Sequence, residues 1–551
     1  VLPKKRHLHT KQLGRQDRSM GDRPRQFDWV VVGGGSAGCT VTKELLLRKH
    51  PPRKILLIEA GGNATDTRIA VPARAIELIG SPMDWKDRTE ASPQLAGRRL
   101  LWPRGKGMGG SSSINTMIHV VGSSSDWEDW PREAQDCWNY SSCHRIWESL
   151  VESYYPEGGA LYERLRLASP PRRFDISDWF LEACHAVGWP NNWQPGWATV
   201  GFGTFARWQQ GCLRKSPWDL LRAVDSNRLT IVTDCFVQRL SPMNSQGMEL
   251  ELATPHGHQS VQAKLGVVLA AGAIQTPALL HRSGIGDREL LEQEGIHCYH
   301  HDPHVGRHLQ DHLIFPIGLQ TPAHAVADKT SLQKAASLWT DLSKSPPDWR
   351  LASNLVEVGA FGPTPPTRGN PDAPPEFQIH LTATSYLEYA TRDKPPPGAT
   401  LGITLLRPDS EGSIEPVRQD GTVGYRIHPN YLEHSSDWGR WLPSIRSGID
   451  LASNDFWRRK GCQMERLGWQ QADDEQLKTA FRRLATTLFH PVGTCRIGTP
   501  VEGVVSTDLS LHSLPGVWVA DASVLPKIPR GNPQAMVLVI AKWLGQHLSE
   551  K

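Results

Sequence analysis

Long apolar runs are missing. The two most hydrophobic stretches, Gly266 to Ile274 and Ala535 to Leu544, reach about half of the roughly 20 residues a bilayer-spanning helix needs, so no transmembrane segment is expected. A C-x-x-C pair is also missing, and the nine cysteines fall at irregular spacings; neither a disulfide framework nor a zinc site is expected, and a reducing compartment suits the chain. Low-complexity sequence is absent too. The 49 glycines and 42 prolines are spread along the chain, and 39% apolar with 21% charged residues excludes a fibrous or largely disordered protein. Finally, the body lacks an excess of positive charge. Of 61 basic and 57 acidic residues, eight and two lie within positions 1–27, leaving 53 against 55. No basic face is available for a phosphate backbone, which excludes nucleic acid as an expected partner.

A length of 551 residues fits two or three domains at roughly 100–200 residues each. The basic start has no apolar h-region and reads as a disordered tail or leader, with a transit-peptide remnant as the alternative; Val1 opens it and Met20 offers a second start. The expected location is intracellular and cytoplasmic, or mitochondrial if the tail is a transit remnant.

The first chemical signal lies at residues 29–59. Trp29 to Val32 is a β-branched run leading into Gly33-Gly34-Gly35-Ser36-Ala37-Gly38, then the helix-like Thr40 to Leu47, then a second strand, Lys54 to Ile58, ending on Glu59 and Ala60. That is the order of a dinucleotide-binding βαβ unit. Gly33 permits the tight turn, Gly35 lets backbone N–H groups approach a pyrophosphate, and Gly38 lets helix and strand pack closely where the helix dipole favours anions. Glu59 is placed to accept from ribose hydroxyls. The pattern does not separate FAD from NAD.

Three further segments share this character. Arg104 to Asn115 carries Gly109, Gly110 and Ser111 with two cations, and can wrap a phosphate or a flavin edge with backbone amides. Gly266 to Leu280 reads as a buried strand, a turn at Ala271-Gly272 and a helix with Pro277 near its first turn. Gly516 to Pro526 is another strand ending on Asp521 and Ala522, and Gly531-Asn532-Pro533-Gln534 opens a final apolar helix. Between them stands Phe489-His490-Pro491, one histidine among 22.

The order of these segments resembles the glucose-methanol-choline (GMC) family of flavin oxidoreductases, through residues 28–62, 104–130, 272–286, 489–498 and 516–548, with looser likeness between them. The resemblance implies an α/β chain, α+β overall: a Rossmann-like FAD-binding domain assembled from discontinuous segments, and a substrate domain built on an antiparallel sheet with helices. The implied division is a tail at 1–26, FAD-binding parts at 27–160, 226–315 and 486–551, and substrate parts at 161–225 and 316–485. Carried over, Gly33, Gly35, Ser36, Ala37, Gly38, Glu59 and Ala60 would hold the ADP half. Arg104, Gly109, Gly110, Ser111, Asn115, Thr116 and Met117 would lie along the ribityl chain and isoalloxazine, Val237 at adenine, and Ala271, Gly272, Asp521, Ala522, Pro533 and Gln534 around the remainder. Some members attach FAD through a histidine where this chain has Ile114, so non-covalent FAD and no metal are expected.

The implied reaction is oxidation of a primary or secondary alcohol to the carbonyl. His490 takes the hydroxyl proton, Asn532 steadies the oxygen and also touches the cofactor, and flavin N5 accepts the hydride. The partners are a small alcohol and an electron acceptor, oxygen or a quinone; oligomeric state is not legible. Two minority activities of the family set alternatives. Leu406-Arg407-Pro408 resembles the fatty acid photodecarboxylase segment but has Leu406 in the cysteine's place, and that enzyme lacks a histidine at position 490. A hydroxynitrile lyase stays open, as does a catalytically silent flavin protein. His119 and Val121 replace a common Tyr and Arg, and Arg530 stands before Gly531 where a small residue is usual; solvent is its expected surrounding. The six tryptophans at 179, 189, 193, 197, 208 and 218 suit packing, with an aromatic substrate entrance as the alternative.

Overall fold

The computed structural model describes residues 25–47, 53–156, 172–194, 196–243, 247–364, 373–385 and 397–550. Most of the basic tail and residues 161–171 of the expected substrate part lie outside them.

The first sheet grows from the apolar runs. Arg25–Val32 pairs in parallel with Ile55–Ile58 on one side and with Gly257–Leu269 on the other. Leu229–Val232 extends the sheet beside Ile55–Ile58, and Val517–Val519 extends it beside Gly257–Leu269, both in parallel. Phe236–Pro242 and Met248–Thr254 add an antiparallel flap onto Gly257–Leu269. Val30, Val31, Leu56 and Leu57 are wholly buried, because helices cover both faces of a parallel sheet and its strands read as unbroken hydrophobic runs. The helices Ser36–Leu47 and Gln534–Ser549 pack against each other on this sheet.

The second sheet is antiparallel throughout. Its order is Gln463–Met464, Leu313–Gln320, Gly398–Leu405, Phe377–Thr382, Val358–Gly362 and Gly201–Thr204. The helix Ser436–Ala452 lies across it, and at Gly448 a Cβ would meet Ile403 at 2.7 Å. Each sheet has its own apolar core. The expected fold class, a discontinuous Rossmann-like part beside an antiparallel part, is the one found.

The helix Gly272–Arg282 starts earlier than its proline suggests. Pro277 sits in the second turn, where its missing N–H leaves the carbonyl of Ala273 without its helical donor. The hydroxyl of Thr494 fills that place at 2.6 Å, bolting the histidine segment onto the helix. Among the described residues, no helix is long and apolar enough to cross a membrane.

Candidate active site

A cleft runs between the two sheets, from the turn at Gly33 to the segment at His490. Its wall brings together Gly33, Gly35, Ser36, Ala37, Glu59, Ala60, Arg104, Gly110, Ser111, Asn115, Thr116, Met117, Val237, Ala271, Gly272, His490, Asp521, Ala522, Asn532, Pro533 and Gln534. Gly38 and Gly109 stand behind it. At Gly38 a Cβ would lie 1.8 Å from the carbonyl oxygen of Gly33, and Gly109 donates its N–H to Gly34 at 2.7 Å. Both therefore shape the loops from outside the cleft.

The cleft fits a dinucleotide. Gly110, at φ +53°, faces Gly35 so closely that a Cβ would come within 2.8 Å of the Gly35 Cα. At Gly272, φ +87°, nothing lies within 4 Å of the Cβ position, so backbone is bared to the space. Glu59 takes the amides of Gly34, Gly61 and Gly107 at 2.7, 2.9 and 2.9 Å. A carboxylate has about four acceptor sites, which leaves one for a ribose hydroxyl. Burial pushes the Glu59 carboxyl above the usual range against those amides. Asp521 is fuller: Gly272 N–H and the Thr276 hydroxyl occupy one oxygen at 2.8 and 2.6 Å, and Ser523 occupies the other through N–H and hydroxyl at 2.8 and 2.6 Å. Its carboxylate ties the closing segment to the helix start, and both Asp521 and Ala522 line the cleft.

Asn115 donates to Gln534 at 2.7 Å and accepts from Arg214 at 2.7 Å. Arg214, buried, also reaches the carbonyls of Ile69, Ser112 and Asn115. No local motif marks this arginine in the sequence.

At the far end, His490 Nε2 lies 3.2 Å from the Asn532 amide nitrogen and His490 Nδ1 lies 2.9 Å from His312 Nδ1. His312 Nε2 is 2.9 Å from the carbonyl of Leu406, so it carries the hydrogen there. Burial holds His312 down to about 4 and therefore uncharged, which makes its Nδ1 an acceptor. His490 must then carry its hydrogen on Nδ1 and leave Nε2 unprotonated, where it accepts from the Asn532 amide. Burial first, then His312, Arg104 and His380, hold His490 well below the ordinary imidazole range. Asp311 fixes the backbone, accepting His490 N–H at 2.6 Å and, on its other oxygen, the hydroxyls of Thr487 and Tyr431. Arg104 donates to the carbonyl of Phe489 at 2.7 Å, and Phe489 itself has φ +66°. Asp311 and His312 escaped the motif reading because they lie in a region of loose likeness and meet His490 only through the fold.

Packing shows the surroundings of the residues that depart from the family pattern and of the tryptophans. Arg530 is buried at 9% exposure, and solvent is not its surrounding: it donates to Asp126 at 2.8 Å and to the carbonyl of Pro375 at 3.1 Å. Arg407 joins the same Asp126 at 3.2 Å and also reaches Asp129. His119 is buried against Trp147, whose indole N–H donates to it at 2.8 Å, and lines none of the cleft. None of the six tryptophans lines the cleft either; Trp189 packs on Phe377, Trp193 on Phe205 and Phe361, and Trp208 on His119. Ile114 does line it, and its side chain offers no nucleophile for attachment.

The comparisons agree with this geometry. Two family models, both described as GMC oxidoreductase, match residues 27–314 and 408–541. The chain is 28% identical over 537 residues to the alcohol dehydrogenase [acceptor] of Pseudomonas putida, covering 94% of each chain. It is 29% identical over 550 residues to the oxygen-dependent choline dehydrogenase of an Escherichia coli O127:H6 strain, covering 96% of each. The crystal structure of pyridoxine 4-oxidase from Mesorbium loti superposes with a TM-score of 0.81 at 27% identity, over 95% of this chain and 99% of that one. The chain belongs to the GMC oxidoreductase family, and with that membership come FAD as cofactor and an oxidoreductase's work on CH–OH donors.

Proposed function

We propose that the protein oxidises a primary or secondary alcohol to its carbonyl, with His490 as the base and Asn532 as the group that holds the substrate oxygen. The observation that carries this reading is the pairing of an unprotonated imidazole nitrogen with a neutral amide donor, 3.2 Å apart in the wall of the cleft, so that a substrate hydroxyl can take the place of their mutual hydrogen bond. FAD, when bound, supplies the acceptor for the carbinol hydride. The chain's own residues do the rest. His490 Nε2 accepts the hydroxyl proton, and its uncharged state at neutral pH leaves that nitrogen unprotonated. Asn532 donates to the developing alkoxide without adding charge, and its Oδ1 is buried without a partner in the described residues. Ile114 in place of a nucleophile supports non-covalent FAD held by the glycine turns, Glu59 and the Arg104–Met117 segment.

The test is anaerobic addition of alcohols to the flavin-loaded protein, followed by the flavin absorbance. The panel is benzyl alcohol, a straight-chain alcohol, choline and pyridoxine, the last two chosen for the relatives that resemble this chain. Bleaching is expected with at least one. His490→Ala is expected to slow it by 10²–10⁴-fold, the usual range for a general base. A loss under about 10-fold would remove His490 from the role.

A further inference from the structure

Among the described residues, the cleft carries little available charge. Its acidic lining residues are Glu59, Asp87 and Asp521. Asp521 is filled by the backbone and hydroxyl donors described above, and Glu59 holds three amides at the turn of Gly34, with its one remaining site left for a ribose hydroxyl. Asp87 accepts from the Tyr425 hydroxyl at 2.6 Å on one oxygen, while its Oδ2 is buried with no hydrogen-bond partner in the described residues; burial pushes the carboxyl up to about 6, with Tyr425 and Arg104 pulling the other way. The cationic lining residues are Arg104 and Arg282. Arg104 is spent on the carbonyls of Pro103 and Phe489, and Arg282 on those of Val237 and Gln238. Among the described lining residues no aromatic cage compensates. Trp85 is the one tryptophan among the lining residues, and Lys106 already lies over its ring at 4.7 Å.

One strand contributes a row of polar groups to the lining. Phe377–Thr382 exposes Gln378, His380 and Thr382 to the cleft, alternate residues on one face of the antiparallel sheet. His380 is held uncharged by burial, down to about 4, and its Nε2 packs against Gly402, where a Cβ would lie 2.8 Å away. Thr382 is 4% exposed, and its hydroxyl is buried with no hydrogen-bond partner in the described residues. A buried hydroxyl left unpaired costs about 1–3 kcal/mol, so a ligand group that pairs with it gains that difference. Leu355, Val356 and Leu488 add apolar surface to the lining.

We infer that this compartment takes an uncharged alcohol with an apolar body and a second hydrogen-bonding group, read by the Gln378–His380–Thr382 row, and rejects alcohols bearing a quaternary ammonium or a carboxylate. The inference rests on the alcohol-oxidising reading above and narrows its substrate. Among the described lining residues an ammonium would meet only Asp87, which already holds Tyr425, and a carboxylate would meet no free cation; an unpaired buried charge is among the most costly features a site can hold.

The experiment compares choline with 3,3-dimethylbutan-1-ol, which has the same shape with carbon in place of the charged nitrogen, on the flavin-loaded enzyme. Two readouts run together: anaerobic flavin reduction and the shift of the flavin absorption band on ligand titration. The neutral alcohol is expected to exceed choline at least 100-fold in kcat/KM, and 4-hydroxybenzyl alcohol to exceed 4-(hydroxymethyl)benzoate likewise. Thr382→Val is expected to lower the preference for 4-hydroxybenzyl alcohol over benzyl alcohol by about 10-fold while leaving the flavin spectrum unchanged. Equal or better use of choline overturns the inference, and loss of that use in Asp87→Asn would name Asp87 as the counter-ion. An unchanged ratio in Thr382→Val removes the polar row. If no alcohol bleaches the flavin, the proposed oxidation fails by itself. The band shift then decides the compartment: a shift with 3,3-dimethylbutan-1-ol alone supports it, and a shift with choline, or with neither, overturns it.

Discussion

The proton on His490 is placed by a residue 178 positions away in sequence. His312 accepts it because the carbonyl of Leu406 claims the only hydrogen that a neutral His312 carries. His312 thereby acts as a positioning residue, and it is also the second cause, after burial, of the low His490 value. The direction of the pH effect follows. A base works unprotonated, so with His490 held well below 6.5 flavin reduction should stay flat through neutral pH and fall only in acid. Removing His312 admits solvent and takes away its opposing influence, both of which raise the His490 value. His312→Ala is therefore expected to slow flavin reduction by about 10-fold, the upper range for one hydrogen bond, and to move the acid limb of the rate profile to higher pH. His312→Asn, whose side-chain oxygen can stand near the Nδ1 position, should recover part of the rate. If the limb stays where it was and Asn does no better than Ala, His312 only fills space.

Among the elements, the helix Gly272–Arg282 shows how a break in regularity is used. Pro277 denies a donor to Ala273, and Thr494 supplies one from the segment that carries His490. Thr494 is wholly buried, so Thr494→Val would leave the carbonyl unpaired with little change of volume. The expected cost is about 1–3 kcal/mol, read as a lower denaturant midpoint at unchanged slope, with Thr494→Ser close to the parent. A midpoint that does not move would mean that water replaces the hydroxyl. The same comparison marks what the sequence makes legible. Strand, glycine turn and helix at Trp29–Leu47 are written within about 20 residues, so Gly33, Gly35 and Glu59 could be assigned local duties before any fold was known. Asp311, His312 and Arg214 carry no such local signature. Their partners are His490 and Asn115, more than 90 residues distant, and only the closed structure pairs them. Arg530 misled for a related reason: an arginine reads as a surface residue until its buried partner, Asp126, is known. Asp521 reads as a ligand-facing acid because nothing in its own stretch announces the two donors from Gly272 and Thr276.

At the scale of the whole molecule, the cleft is lined by pieces of chain that otherwise belong to separate cores. Val32 to Ser36, Glu59, Arg104 to Ile118, Ala270 to Gln275 and Asn532 to Val537 come from around the first sheet, and Gln378, His380 and Thr382 from the second. The sheets are also joined by buried polar contacts that cross between them. Arg407 and Arg530 share Asp126, Arg98 reaches the carbonyls of Arg482 and Ala485, and Arg104 reaches Phe489. Breaking both arginines from Asp126 leaves its buried carboxylate without a cation, which opposes separation of the two parts. FAD bound in this cleft should therefore stabilise the molecule as one unit. A ligand that binds only the folded form adds about 2.7 kcal/mol at 100 times its Kd and about 1.4 kcal/mol for every further tenfold in free concentration. With an unfolding entropy of about 2 cal/mol/K per residue, each tenfold should raise the melting temperature by about 1 °C. Stripped protein titrated with FAD is expected to show one calorimetric transition that moves upward with the logarithm of concentration. Two transitions, only one of which follows FAD, would show that the bridging arginines do not couple the antiparallel sheet to the cofactor-binding one.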